Sequence, residues 1–192
     1  NHVFDADAEH GAAGVTALLH KGRIVLITDT LVHEWPEAED LANIAERAAD
    51  VARDFGLEPR VAFVSFSTFG YPVSERAEKL ALAPKVLDAR GVDFEYEGEM
   101  TVDVALNTKA QANYPFSRLT GPANILVVPA RHSASISVKL MQEMAGATVI
   151  GPILSGVDQS IQICALVSTA TDILNMAVLA ACKASEGTSR HG

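Results

Sequence analysis

Apolar positions along this chain recur at more than one period, and each change of period marks a boundary. Between residues 36 and 55, Leu41, Ile44, Ala45, Ala48, Val51, Ala52 and Phe55 fall at steps of three and four, the single buried stripe of a helix. Pro36 suits its first turn, where a missing N–H breaks no bond, and Glu37, Glu39 and Asp40 follow at the positive end of the helix dipole. Gly56 supplies the left-handed residue that closes it. Unbroken apolar runs at 61–66 and 125–128 predict buried interior strands. Shorter runs at 94–96, 148–150 and Ile161-Gln162-Ile163 predict brief ones. Residues 15–20 and 23–28 flank Lys21-Gly22 and predict a hairpin. Helical composition returns at 74–89, 102–112, 133–145 and from about 169 to 184. In 133–145, Ile136, Leu140, Met141 and Met144 are assigned inward, with Lys139 and Gln142 outward. Pro84 would cost about 3 kcal/mol in a straight helix, so a kink or break is expected there.

Strand and helix alternate from Pro36 onward, which predicts a three-layer α/β domain: a mostly parallel sheet, helices on both faces, and the hairpin as one antiparallel edge. Residues 15–184 form the expected domain, with 1–14 a lead-in and 185–192 a frayed tail. The chain opens without methionine and reads as a fragment of something longer.

Charge and composition narrow the partners. A net charge of −9 argues against nucleic acid. The longest apolar run, 177–182, is far short of the roughly 20 residues that cross a bilayer. No signal peptide is visible, so a cytoplasmic location with no membrane partner is expected. Cys164 and Cys182 lie in apolar runs and are expected as buried, reduced thiols, and no spacing suggests a metal site.

The segment 151–172, GPILSGVDQSIQICALVSTATD, has the place of a ligand loop but little of its chemistry. It opens on Gly151-Pro152, read as a turn, and ends at Ser168 and Thr169, where a helix N-terminus offers free N–H groups. The loop Ala165-Leu166-Val167 supplies no base, cation or nucleophile. Thr169-Ala170-Thr171-Asp172 fits a capping box, so Asp172 reads as a cap first and as a cleft base second. Ser65, Ser67 and Thr68, after a buried strand, are candidates for phosphate or carbonyl contact; an ordinary strand-to-helix turn explains them equally. Glu99 and Asp103 place two carboxylates at a helix start, which dipole stabilisation explains. Arg118 and Lys139 are candidate anion partners, and the six scattered histidines share no helical spacing.

Leu57-Glu58-Pro59-Arg60-Val61-Ala62 running into SFSTFG, Gly98-Glu99-Met100 with Asp103, and Gly151-Pro152-Ile153-Leu154 with Gly156 together resemble the phosphotransacetylase (phosphate acetyltransferase) family. EGEM, TVDVALN and NYPFSRLTGPANILVVP resemble one branch, the phosphotransacetylase-like C-terminal domain of large, multidomain NADP-dependent malic enzymes. The resemblance implies an isocitrate/isopropylmalate dehydrogenase-like fold, here the second subdomain plus the final helix. It implies dimerisation through this subdomain, and acetyl-CoA or coenzyme A as an effector. NADP and a divalent metal would belong to malic enzyme domains elsewhere in the polypeptide. Where active transacetylases carry Ser-Arg-Gly, this chain has Ala165-Leu166-Val167, while the family's proposed base falls on Asp172. A Gly-Asn pair falls on Ala134-Ser135. The implied effector contacts are Ser65, Ser67, Thr68, Lys139, Gly151, Pro152, Ser168 and Thr169. Three roles follow as expectations: a regulatory module without catalysis, an active acyltransferase, or a purely structural dimerisation domain.

Overall fold

The structure, a computed structural model, describes residues 11–157, 160–166 and 168–189. Residues 1–10 of the expected lead-in 1–14, residues 158–159, Val167 and the last three residues lie outside the described residues. Six strands form one sheet in the order β4-β3-β5-β2-β1-β6. The strands are β1 (Ala13–His20), β2 (Arg23–Thr28), β3 (Arg60–Val64), β4 (Glu95–Met100), β5 (Ile125–Val127) and β6 (Thr148–Ser155). The pairs β2–β5, β5–β3 and β3–β4 are parallel, and β1 runs antiparallel to both neighbours. The expected hairpin is β1–β2, but it is not an edge, because β6 pairs along the outer side of β1.

Helices cover both faces. α1 (Ala38–Asp54) and α2 (Glu75–Arg90) pack on one face, with Met176 of α6 (Ala170–Ser189) in the same core. α3 (Val102–Leu106) and α5 (Arg131–Ala145) pack on the other, and α4 (Thr108–Gln111) follows α3. The expected helix at 102–112 is therefore two short pieces that meet at Asn107, which caps the second by accepting from the Lys109 N–H at 2.9 Å.

α1 buries the predicted stripe from Leu41 to Ala52, with Ala42 and Ala49 added to it, and Phe55 is half-buried at the C-cap. Pro36 falls one residue before the N-cap Glu37 rather than in the first turn. The expected break at Pro84 does not occur, and α2 is continuous through it to a left-handed Gly91. α6 runs past 184, where a frayed tail was expected, to Ser189.

Val61, Ala62 and Phe63 of β3 and all of β5 are buried, as expected of interior strands. β3 ends at Val64, however, and Phe66 is 63% exposed. β4 and β6 run further than expected, to Met100 and Ser155. Gly151-Pro152, read as a turn, lies inside β6. Ile161-Gln162-Ile163 is not a strand; instead the Gln162 carbonyl accepts from the Leu154 N–H at 3.0 Å, so a side chain does what a ladder partner would do.

The face assignment of α5 holds for Met141, Lys139 and Gln142 and fails for Ile136, Leu140 and Met144. Ala134 and Val138 are buried and Met141 packs beside them, while Ile136, Leu140 and Met144 are exposed. Positions 134 and 136 lie roughly 200° apart on a helix, so the chain carries two apolar stripes. The stripe headed by a small residue goes inward because it lets the helix approach the sheet closely. Both cysteines are exposed rather than buried, and they form no disulfide with each other.

Candidate functional site

Two separate places hold the candidate residues. The first is a cavity of about 580 Å³ at the carboxyl ends of β3 and β5, where Val64, Ser65 and Phe66 face Val128, Pro129 and Ala130. The chain leaves β3 toward β4 and returns to β5 on the other side, so this is the crevice where open α/β sheets bind ligands. Its floor is apolar and its rim mixed. Lys79 is held by Glu37 at 2.6 Å, and the Trp35 ring meets the His132 ring edge-on at 5.0 Å. Trp35, Lys79 and His132 carry no local motif that the sequence alone makes legible.

Of the SFSTFG candidates only Ser65 reaches this cavity. Ser67 is fully buried and donates to Glu99 Oε1 at 2.9 Å. The Thr68 hydroxyl pairs with that of Thr101 at 3.2 Å. Three of the loop's N–H groups are also engaged: Thr68 N donates to the Tyr71 carbonyl, Phe69 N to the Glu99 carbonyl and Gly70 N to Glu99 Oε1. Such a loop is a folded clasp rather than an anion nest. Glu99 is therefore not a dipole residue at a helix start, as the sequence suggested; it sits on β4, buried, and holds the clasp. Asp103 does occupy the first turn of α3, and the hydroxyl of Thr101 lowers its pKa. Arg118 is not available to an anion. It pairs with Asp88 at 2.6 Å and Glu97 at 3.4 Å, with its guanidinium 4.6 Å from the Tyr96 ring centroid.

The second place is a cleft of about 270 Å³ between α5, β6 and the N-terminus of α6. It brings together Lys139, Gly151, Pro152, Ala165, Ser168 and Asp172. Thr16, Thr30, Cys164 and Asn175 also line it and were not anticipated. Gly151 is required where it stands: its φ is +134°, and a Cβ there would lie 3.0 Å from the Val15 carbonyl oxygen and 3.1 Å from the Thr16 Cα. The β1–β6 register shifts at this point, which turns Thr16 toward the cleft. Thr16 then donates to the Thr30 hydroxyl at 3.0 Å, and Thr30 to the Gly14 carbonyl at 3.1 Å.

The capping box at α6 forms. Asp172 Oδ2 accepts from the Thr169 N–H and hydroxyl, both at 2.8 Å, and the Asp172 N–H donates to Thr169 Oγ1 at 3.2 Å. The Thr169 N–H, and after it the Thr169 hydroxyl, hold the Asp172 carboxyl below its ordinary value. A carboxylate so stabilised is a weaker proton acceptor. Lys139 is exposed, and among the described residues no carboxylate pairs with it. Ala165 lines the cleft and Leu166 is fully exposed. Among the described residues the cleft thus offers one cation without a carboxylate partner, a capped carboxylate and hydroxyls, but no second cation opposite the loop.

No group of three or more His, Cys, Asp or Glu among the described residues has metal-binding geometry, and no described helix is long and apolar enough to cross a membrane.

Comparison with known proteins fits this geometry. Residues 5–181 match the phosphate acetyl/butaryl transferase family. The NADP-dependent malic enzyme of Rhizobium meliloti (strain 1021) is 52% identical over 178 residues, covering 93% of this chain and 23% of that protein. The phosphate acetyltransferase of Bacillus subtilis (strain 168) is 31% identical over 173 residues, covering 90% of this chain and 54% of that enzyme. A phosphotransacetylase from Streptococcus pyogenes superposes with a TM-score of 0.89 at 28% identity, covering 96% of this chain and 57% of that one. The chain therefore spans about a quarter of these malic enzymes and about half of these two transacetylases. By sequence and fold together the chain belongs to the phosphate acetyl/butaryl transferase family, and it is similar to the segment of that family found within NADP-dependent malic enzymes.

Proposed function

We propose that this chain is a regulatory, non-catalytic domain of an NADP-dependent malic enzyme. It binds acetyl-CoA or a relative, helps the enzyme to oligomerise in the cytoplasm, and adjusts the decarboxylation of malate to pyruvate in domains elsewhere in the polypeptide. The observation that carries the reading is the composition of the cleft. Lys139, Gly151, Pro152 and Ser168 line a ligand-shaped space whose loop side is Cys164 and Ala165, with Leu166 beside it turned to solvent. Acyl transfer to or from phosphate develops charge on oxygen, and losing one aimed donor costs about 2.7–4 kcal/mol in comparable sites. Neither Ala165 nor Leu166 donates a side-chain hydrogen bond. Asp172 is tied into a helix cap. Binding energy from the remote parts of a coenzyme A molecule survives such losses. The cleft, at about 270 Å³, sits just below the usual range of about 300–1,000 Å³ for small-molecule pockets, so it holds one end of such a ligand. Exposed apolar side chains on α5 (Ile136, Leu140, Met144) and α6 (Ile173, Leu174, Val178) support self-association.

Titrating acetyl-CoA against the full-length enzyme while following malate oxidation tests the proposal. A coupling of typical size, about 5- to 150-fold in apparent affinity, is expected, together with no transfer between acetyl phosphate and coenzyme A. Robust transfer would establish the rival reading, an active phosphate acetyltransferase, which the retention of Asp172 favours. Acetyl-CoA without effect on either activity would leave a structural role. The double change Ala165→Ser and Leu166→Arg adds a hydroxyl and a cation to the loop and is expected to raise transfer above background if the rest of the cleft is intact.

A further inference from the structure

We infer that the groove between α3 and α5 binds a small amphiphilic carboxylate, its apolar tail on the sheet and its head on Arg23 and His20. The groove has a volume of about 340 Å³, within the usual range of about 300–1,000 Å³ for ligand pockets. It shares no residue with the cleft beside Asp172, while its wall residue Leu140 also belongs to the exposed apolar stripe of α5.

Its floor is Leu18, Val25 and Ile27 of the hairpin with Leu126 of β5, and its walls are Leu106 of α3 and Leu140 and Met141 of α5. Polar groups are confined to Ser137 and to the pair His20 and Arg23, which face each other across the hairpin. The chain carries a net charge of −9, yet among the described residues no acidic one lines this groove. Arg23 is exposed, and among the described residues no carboxylate pairs with it. A guanidinium keeps its charge at all physiological pH and presents a fork that matches a carboxylate.

The arrangement also has a length. Four residue steps along β2 separate Arg23 from Ile27, roughly 13 Å at the rise of a strand. A linear aliphatic chain anchored at Arg23 would lie over Val25 and Ile27 in that distance. An apolar trough with one cation at its end selects an anionic head and an apolar tail together. Neither an inorganic anion nor a neutral hydrocarbon satisfies both.

Isothermal titration of the full-length polypeptide with hexanoate, octanoate and decanoate, against acetate and decanol, tests this. Saturable one-to-one binding is expected for the longer acids, tightening about two- to fourfold per methylene until the groove is filled. Acetate and decanol are expected to bind much more weakly. Arg23→Ala, an exposed change, should weaken decanoate binding roughly tenfold, with Arg23→Lys recovering part of it. Leu140→Glu, on a half-exposed wall, should abolish it by placing a like charge beside the ligand. Absence of saturable binding overturns the inference. So does binding equally tight in Arg23→Ala and Leu140→Glu, or decanol binding as well as decanoate.

Discussion

Replacing Asp29 by Asn removes a single charge from the end of β2 and should loosen the side of the cleft formed by Thr16 and Thr30. The Asp29 side chain is almost wholly buried and both its oxygens are saturated. Oδ1 accepts from the N–H groups of Gly14 at 2.9 Å, Leu31 at 2.8 Å and Val32 at 3.1 Å. Oδ2 accepts from the His33 N–H at 2.8 Å and lies 2.8 Å from the His33 ring Nδ1. Asn keeps the shape and can keep the three bonds to Oδ1. Its amide N–H₂ then faces the His33 N–H, donor against donor. One charge-assisted bond is lost, worth about 1.5–3 kcal/mol, and a partly buried N–H loses its partner, so a total of about 2–4 kcal/mol is expected. In a chain of this size that is on the order of 5–15 °C in Tm. Urea denaturation of wild type and Asp29→Asn measures it, with the slope m unchanged. The pH dependence is a second readout. Burial raises the Asp29 pKa, but the His33 ring and the backbone N–H groups outweigh it, and the net shift is downward. Its stabilisation is therefore present above the unfolded carboxyl value of 3.8 and is lost as pH falls through the lower folded value. His33 shifts the other way, raised from 6.5 mainly by its bond to Asp29. The stability it contributes is complete below 6.5 and disappears as pH rises through the raised value. A difference below about 0.5 kcal/mol at neutral pH, or one that persists undiminished well below the folded carboxyl pKa, would refute the clamp.

Gly98→Ala is expected to destabilise the domain by about 2–4 kcal/mol in the same denaturation assay, because its φ is +152° and a Cβ there would lie 2.7 Å from the Phe63 carbonyl oxygen and the Phe63 Cβ. Lys139→Ala is expected to leave stability within about 0.5 kcal/mol, as an exposed change does, and to weaken acetyl-CoA binding to the full-length enzyme by roughly tenfold, measured by calorimetry.

Much of this fold was legible because local signals and burial agreed. α1 carries one apolar stripe, acids at its start and a glycine at its end, and no other arrangement buries that stripe. β3 and β5 are short apolar runs bounded by turns, which only interior parallel strands accommodate. Where two local solutions were equally good, the sequence could not choose between them. α5 has two apolar stripes, and only the approach to the sheet decided that Ala134 and Val138 go inward while Ile136 and Leu140 do not. The sequence also could not show that β6 would extend along β1, because that pairing depends on residues more than a hundred positions apart. The same holds at the candidate site. The capping role of Asp172 lies within four residues and was readable, and the chain alone shows that its loop lacks a side-chain donor and a cation. That Lys139, Gly151 and Asp172 share one cleft, that Glu99 clasps the SFSTFG loop, and that Arg118 is held by Asp88 and Glu97 are consequences of tertiary packing. A charge's partner across the sheet leaves no periodic trace in the chain that carries it.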